Sequence, residues 1–406
     1  MNRGNLFGRQ IVIAAALAGC LVPAAIAVAQ GKEPTSAPVP ASAPPAQPTS
    51  QAADDWLVIR DGLVYGYELK ATSGYQRRVI SFEPKGSGGD ISFVATRGGG
   101  LIPRGVARYD HNFAMITDGG SFAASSGAEY LLNECKRSGE LTISAMIKPV
   151  SLKLESAAPV IYFGPTSGSP NFALLQQGDK LLLKLRTAKF NNAAESHAEL
   201  VKLPDAEEHH IVVAYCDGSL KTYLDGKLAG TSAAITGDLS RWRAAELVFG
   251  DEPTPSTNWP GKIEGVAIYS RALVESQVQR LFVAANKCVK ARKEPPVIIV
   301  QAKLKARSDV PKPKDIEPYY QALAVYEYTI EKVKRGTYDK GEIRVAHWVI
   351  MERQKLPIAQ RAVGTSVELV LEPYASNKQL ETDFWTLDTL GISDLPLMFD
   401  ISTPQR

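Results

Sequence analysis

Cysteine is scarce in this 406-residue chain, with only Cys20, Cys135, Cys216 and Cys288. No two of them stand in C-x-x-C spacing, which excludes thiolate zinc and a disulfide framework. Histidine is also sparse, at five residues. His209 and His210 are adjacent in a strand-like run, so their side chains alternate and cannot share one metal. His111 and His347 have no histidine or carboxylate two or four residues further on to complete a metal set. An excess of one charge is missing too. The 46 Lys and Arg against 43 Asp and Glu leave +3, too little to argue for a nucleic-acid partner or a membrane surface. No G-x-G-x-x-G, phosphate-loop lysine or G-x-S-x-G occurs, and the Gly-rich "VATRGGGLIPRG" opens no helix, so it reads as a flexible crossover.

What is present begins with an export pattern. Arg3 and Arg9 precede the apolar run Ile11–Ala29, which ends in the small-residue pattern "AVA" before Gln30. Residues 1–29 are expected to be a signal peptide, leaving no membrane span in the mature chain and placing it in the periplasm or outside the cell. "LAGC" at Cys20 has the look of a lipobox, the alternative that would make an outer-membrane lipoprotein. The apolar run continues past Cys20, which favours simple cleavage near Ala29. Residues 30–54, rich in Pro, Ala, Ser and Gln, bury too little to order and read as a disordered linker. The three remaining cysteines allow at most one intramolecular bridge, and the sequence does not say which.

From Trp56 onward, short β-branched and aromatic runs alternate with Gly, Asn, Asp and Pro. "WLVIRDGLVYGYEL", "ELTISAMIKPV", "APVIYFG", "NFALLQQ", "KLLLKLRT", "HHIVVAYCDG" and "AELVFGD" all fit strands. "YLDGKLAG" is the sharpest local signal, since Asp225-Gly226 between alternating residues predicts a tight hairpin with positive φ. The architecture expected is an all-β antiparallel sandwich followed by a smaller β-barrel or sandwich. Between Lys287 and Lys314 nine basic residues stand against Glu294 and Asp309. Residues 287–314 therefore read as a basic linker and edge strand, where lysines discourage pairing. It should separate two units that each bury their own core. Beyond it, "PPVIIVQAKLKARS", "ALAVYEYTIEKVKRG", "GEIRVAHWVI" and "SVELVLEP" are four longer β-runs, and residues 295–406 form the small C-terminal β domain.

One stretch, "NWPGKIEGVAIYSRALVESQVQRLF", changes from strand to helical spacing after Tyr269, with Leu273, Val278, Leu281 and Phe282 able to share a face. Together with "HHIVVAYCDGSLKTYLDGKLAG" it resembles the laminin G-like, concanavalin A-like jelly roll of bacterial secreted proteins. The matching positions are His209-His210, Asp217-Gly218, Asp225-Gly226, Gly261, Ile263, Ile268-Tyr269 and Arg271-Ala272-Leu273. Cys216 and Glu264-Gly265 depart from that pattern. The resemblance implies a jelly roll over residues 55–286, closed by a strand and one or two helical turns. Trp259 and Tyr269 would anchor the space between the sheets. "YEYTIEKVKRG" and "IRVAHW" give the C-terminal region a resemblance to OB-like barrels of netrin type.

The jelly roll also houses glycoside hydrolases, which carry E-x-D-x-x-E on one strand. That pattern is absent. "LETDFW" supplies Glu381 and Asp383 without the third acid and outside the jelly roll, and the acids of "DAEEHH" are accounted for by solvation at a strand lip. No enzyme is expected. The leading expectation is an exported binding protein of the bacterial envelope that recognises a polysaccharide or an envelope protein through loops at one rim. The alternative is a structural accessory of an envelope or exopolysaccharide assembly without sugar binding. The rim loop "GDEPTPSTNW" offers Asp251, Glu252 and Asn258 as oxygen ligands for a sugar or for calcium, the one cofactor suggested.

Overall fold

Why the β-runs pair as they do follows from their alternation, which gives every strand one face to bury. The computed structural model describes residues 56–69, 78–85, 90–97, 100–189, 196–255, 257–381 and 385–405. The signal segment, the linker, Cys20 and Asp383 lie outside them. In chain order the first part contains β1 (Leu63–Tyr67), β2 (Arg78–Lys85), β3 (Asp90–Arg97), β4 (Leu101–Gly105), β5 (Arg108–Tyr109), β6 (Met115–Ile116) and β7 (Gly120–Ala124). Helix α1 (Ala128–Ser138) precedes β8 (Leu141–Pro149), β9 (Ala158–Gly164), β10 (Phe172–Gln177), β11 (Lys180–Leu185) and β12 (Ser196–Lys202). Then come β13 (His209–Cys216), β14 (Ser219–Leu224), β15 (Lys227–Ser232), β16 (Glu246–Phe249), β17 (Gly261–Tyr269) and α2 (Glu275–Lys290).

These strands build two antiparallel sheets. The first runs β15-β14-β13-β8-β17-β1-β2-β3, with β6 paired to β17 and β5 to β6. The second runs β12-β11-β10-β9-β16-β7-β4. Inward residues of both meet in one core, where Ile143, Ala145, Ile211, Val213, Val266 and Ile268 face Phe122, Phe163, Phe172, Leu183, Leu247 and Phe249. Trp259 lies in this core and donates from Nε1 to Gln176 Oε1 at 2.6 Å. Its ring also explains the glycine of the closing strand, because a Cβ on Gly261 would sit 2.1 Å from Trp259 Cη2.

The closing helix is longer than the sequence suggested. α2 spans 16 residues, not one or two turns, and starts where Gln277 Oε1 accepts the Val274 N–H. Its Val278, Leu281 and Ala285 pack with Leu273 on the outer side of the first sheet. Tyr269 belongs to this outer cluster, with Trp56, Leu57, Ile59, Met146 and Val212, and so does not stand between the sheets as expected. The reason is the period of two: Ile268 points inward, so its neighbour must point out. One further expectation changes: "LIPRG", read as part of a flexible crossover, is strand β4 on the edge of the second sheet. Helix α1, "AEYLLNECKRS", was not foreseen in the sequence, and its Leu131 and Cys135 are buried.

The C-terminal part contains β18 (Ile298–Arg307), β19 (Ala322–Arg335), β20 (Glu342–Met351), β21 (Gln354–Lys355), β22 (Ser366–Pro373), β23 (Trp385–Leu387) and β24 (Leu397–Asp400). β18 pairs with β19 and β22, β19 with β20, and β24 closes the ring by lying parallel to β20 and antiparallel to β22. Five strands closed in that order, with one parallel pair, have the topology of an OB barrel. β18 was expected at an edge but is hydrogen-bonded on both sides. Its lysines point outward for solvation, and Lys305 pairs with Glu327 and Glu342. The short strand "LMFD" that completes the barrel is too brief to stand out in the sequence.

Jelly roll and barrel lie in one compact unit, Thr49–Arg406. The barrel has its own core around Val300, Leu304, Tyr326, Val345 and Leu369. A second cluster, Leu323, Ala346, Trp348, Leu356, Leu380 and Phe399, takes in Val106 of the jelly roll. The two parts thus share apolar surface, which the sequence reading did not foresee.

Candidate functional site

A jelly roll has two outer faces on which a ligand can lie. The outer face of the first sheet is sealed by α2 and the chain from Trp56 to Ile59. The outer face of the second sheet carries no helix among the described residues, yet its central side chains Ala123, Tyr162, Ala173, Leu175 and Val248 are buried. Across it, His197, Lys184, Ala173, Tyr162, Val248, Ala123 and Ile102 stand in register, one from each strand. The row is polar at its β12 and β11 end. Tyr162, Ala173 and Leu175 form an apolar centre with Leu182 and Ala157. At the other end Arg104 stands two residues from Ile102 and reaches Glu246 Oε2 at 3.1 Å and Pro253 O at 3.3 Å. By register, its guanidinium crosses the row of small side chains Ala123 and Val248 to do so.

Two loops border this face. Thr254 Oγ1 donates to Thr166 O at 3.2 Å, joining the 250–259 loop to the β9–β10 turn. Tyr162 OH donates to Gly168 O of the same turn. The Arg104–Glu246 pair is partly exposed and worth about 1 kcal/mol or less, so a ligand's own polar groups can take its place.

The three oxygen ligands expected in the rim loop fare differently. Asn258 is used up by the backbone. Its Nδ2 lies 2.9, 2.7 and 2.9 Å from the carbonyls of Thr117, Gly120 and Gly250, and its Oδ1 accepts the Gly119 N–H at 2.9 Å. It staples two loops, and its oxygen is directed at the Gly119 amide rather than at a ligand. Asp251 is buried and caps Glu252 N at 2.8 Å, while Glu252 is half-buried. Among the described residues no group of three or more His, Cys, Asp and Glu is gathered to hold a metal ion.

Groups that superficially look catalytic are arranged otherwise. Glu199 and Glu246 both point from the second sheet but stand four strands apart, or about 19 Å at about 4.8 Å per strand. Glycosidic carboxylate pairs lie within about 10 Å. Ser144 Oγ lies 2.8 Å from His210 Nε2, but this pair is fully buried under α2, with Phe282 stacked on the imidazole. His210 Nδ1 has no partner among the described residues, so no third group orients the ring. Burial lowers the His210 pKa to about 4, which keeps it neutral. Inside the barrel, His347 Nδ1 meets Asp400 Oδ2 and Nε2 meets Tyr328 OH, each at 3.0 Å, and Arg361 donates to the same hydroxyl at 2.8 Å. Every partner in that chain is satisfied, as a buried polar core requires. The free cysteines are inert or apart: burial pushes the Cys135 thiol pKa well up, and Cys135, Cys216 and Cys288 form no bridge.

Sequence comparison bears directly on the sandwich. Residues 117–279 match the family described as the concanavalin A-like lectin/glucanases superfamily. The match spans the body of the concanavalin A-like jelly roll and stops inside α2. No curated protein matches the chain. Among solved structures, the binding domain of botulinum neurotoxin DC, determined with rat synaptotagmin II, is similar at 13% identity and TM-score 0.39, covering 72% of this chain and 77% of that one. The CBM40 of the Ruminococcus gnavus IT-sialidase is similar at 14% identity and TM-score 0.31, over 36% of this chain and 84% of that one. Trypanosoma rangeli sialidase gives 14% identity and TM-score 0.35, over 57% and 34%.

Sequence reasoning missed Arg104, Glu246, Tyr162 and Lys184. Alternation marks them as one side of their strands, but only the placement of α2 decides which sheet it covers.

Proposed function

We propose that the protein is an exported, non-catalytic binding protein of the bacterial envelope, and that its concanavalin A-like jelly roll engages a glycan through the polar groups that flank the outer face of the second sheet. The observation that supports this most is the asymmetry of the sandwich. One outer face is covered by α2. On the other, Tyr162, Ala173, Leu175 and Val248 are themselves buried, and the groups that reach solvent are the flanking polar ones: His197, Glu199, Lys184 and the displaceable Arg104–Glu246 pair. Such side chains are suitable partners for sugar hydroxyls. Asp251 and Glu252 border the face in this reading, and calcium is not required by it.

The test is a glycan array probed with the mature protein, followed by the Arg104→Ala/Glu246→Gln double variant. Binding that the double variant loses supports the reading. Binding that survives it unchanged, or an array with no signal, counts against it. A second reading, a structural accessory docking to envelope proteins, is favoured by the shared cluster around Val106 and Trp348, through which the jelly roll and the barrel touch. A silent array together with a specific protein captured by the mature chain would support that reading instead.

A further inference from the structure

Tyr320 is 60% exposed although one face of its ring is covered, because Arg353 Cζ lies 4.2 Å from the ring centroid. The exposure therefore comes from the opposite face and the hydroxyl edge. The ring stands where the loop after β18 turns into β19, and it is held in place. Arg353 N–H donates to Tyr320 O at 3.0 Å, and the Arg353 guanidinium lies 4.0 Å from Glu317 Oε1. Arg353 itself occupies the two-residue turn between β20 and β21 with Glu352, at φ 57° and 50°. Such a turn favours Asn-Gly, and side-chain-bearing residues in left-handed conformation are strained there. From that turn the guanidinium reaches over the ring. Tyr319 beside it is 40% exposed.

We propose that Tyr320, backed by Arg353, is a stacking platform for a pyranose ring of a neutral polysaccharide, which makes the OB barrel a second binding module. A flat ring fixed before binding loses little freedom when a sugar's apolar face settles on it. The surroundings favour a sugar over other partners. Protein hot spots are enclosed by surface that excludes water, whereas this ring is bordered by charged, exposed side chains. Nucleic acid requires a basic field, and here Glu317 and Glu352 offset Arg353 and Lys355, the last tied to Val310 O in the same loop. Carboxylates and a guanidinium at the ring's edge are suitable partners for sugar hydroxyls. The platform is separate from the sheet face of the jelly roll and does not depend on it.

The experiment is affinity electrophoresis of the full mature chain through gels containing barley β-glucan, xyloglucan, dextran or alginate. To isolate the platform, variants are made in the Arg104→Ala/Glu246→Gln background, which disables the sheet face. Expected is retardation by at least one of the three neutral polymers, weakened about tenfold by Tyr320→Ala and retained by Tyr320→Phe. Arg353→Ala should weaken it less. Melting temperatures of the Tyr320 variants should match their parent, since the side chain is exposed. Retardation unchanged by Tyr320→Ala, loss in Tyr320→Phe equal to that in Tyr320→Ala, retardation by alginate alone, or none in any gel would each overturn the proposal.

Discussion

His111, on the loop before β6, faces Glu372 at the end of β22, with Nδ1 3.4 Å from Oε2, while its Nε2 lies 3.0 Å from Glu294 Oε2. One imidazole thereby ties the jelly roll, the segment after α2 and the barrel. Both ring nitrogens face carboxylates, which favour the imidazolium, while Nε2 also lies 2.8 Å from the Asn112 amide nitrogen. Burial disfavours that charge, but Glu372, Asp110 and Glu294 outweigh it and hold the pKa above its ordinary value. Asn112 and Asn377 complete the surroundings, the latter donating to Glu372.

The pH consequence has a definite sign. A histidine whose pKa rises on folding stabilises fully below about 6.5 and stops doing so once the pH passes the raised value. Calorimetry from pH 6 to 9 should show the two domains melting more nearly together at the acidic end. In His111→Gln their separation should no longer depend on pH over this range. Equal pH dependence in the variant and the parent would rule out the His111 contact as the cause.

His210 acts the other way. Its pKa falls from 6.5 to about 4 on burial, so the folded state resists protonation and stability is lost as the pH drops through that window. The difference amounts to about 3 kcal/mol at full effect. His347, lowered by burial despite Asp400, adds in the same direction. Urea titrations at pH 7 and pH 4 should show a smaller acid penalty in His210→Gln than in the parent. An unchanged penalty would place the acid sensitivity elsewhere.

Gly226 is constrained twice. Asp225 and Gly226 have φ of 50° and 75°, and a Cβ on Gly226 would lie 2.8 Å from Phe282 Cδ1 of α2. Gly226→Val should cost at least about 1–3 kcal/mol from backbone strain, with the collision added. The melting of the jelly roll should fall accordingly. Gly226→Ala, with the same Cβ but less bulk, should fall less, and a variant as stable as the parent would contradict both constraints.

Asn258→Ala removes hydrogen bonds to four backbone groups. It should lower stability by about 1–2 kcal/mol through the net loss of these bonds, since the Thr117 and Gly250 carbonyls keep their backbone donors. If Asn258 were a ligand residue, glycan affinity would fall while the melting temperature held.

Much of this fold was legible in the sequence where local chemistry is decisive. The Asp225-Gly226 turn follows from left-handed φ, and the alternation of β13 places His209 and His210 on opposite faces. The strand into "SRALVESQ" is visible because the apolar period changes. Less legible were features settled by partners distant in the chain. Tyr269 faces α2 because of pairing register, Asn258 is consumed by carbonyls some 140 residues away, and β24 exists as a barrel strand only beside β20 and β22. The outer face of the second sheet belongs to the same class. Its residues look ordinary one by one, and only the seat of α2 shows that this sheet lacks a helix over it.

That seat also gives the molecule a front and a back. The described chain starts at Trp56, wedged beneath α2 against Leu69 and His210 on the sealed side. The segment from Trp56 to Ile59 therefore works as part of the back wall, so that cutting the chain just past it would uncover the same apolar surface that α2 seals.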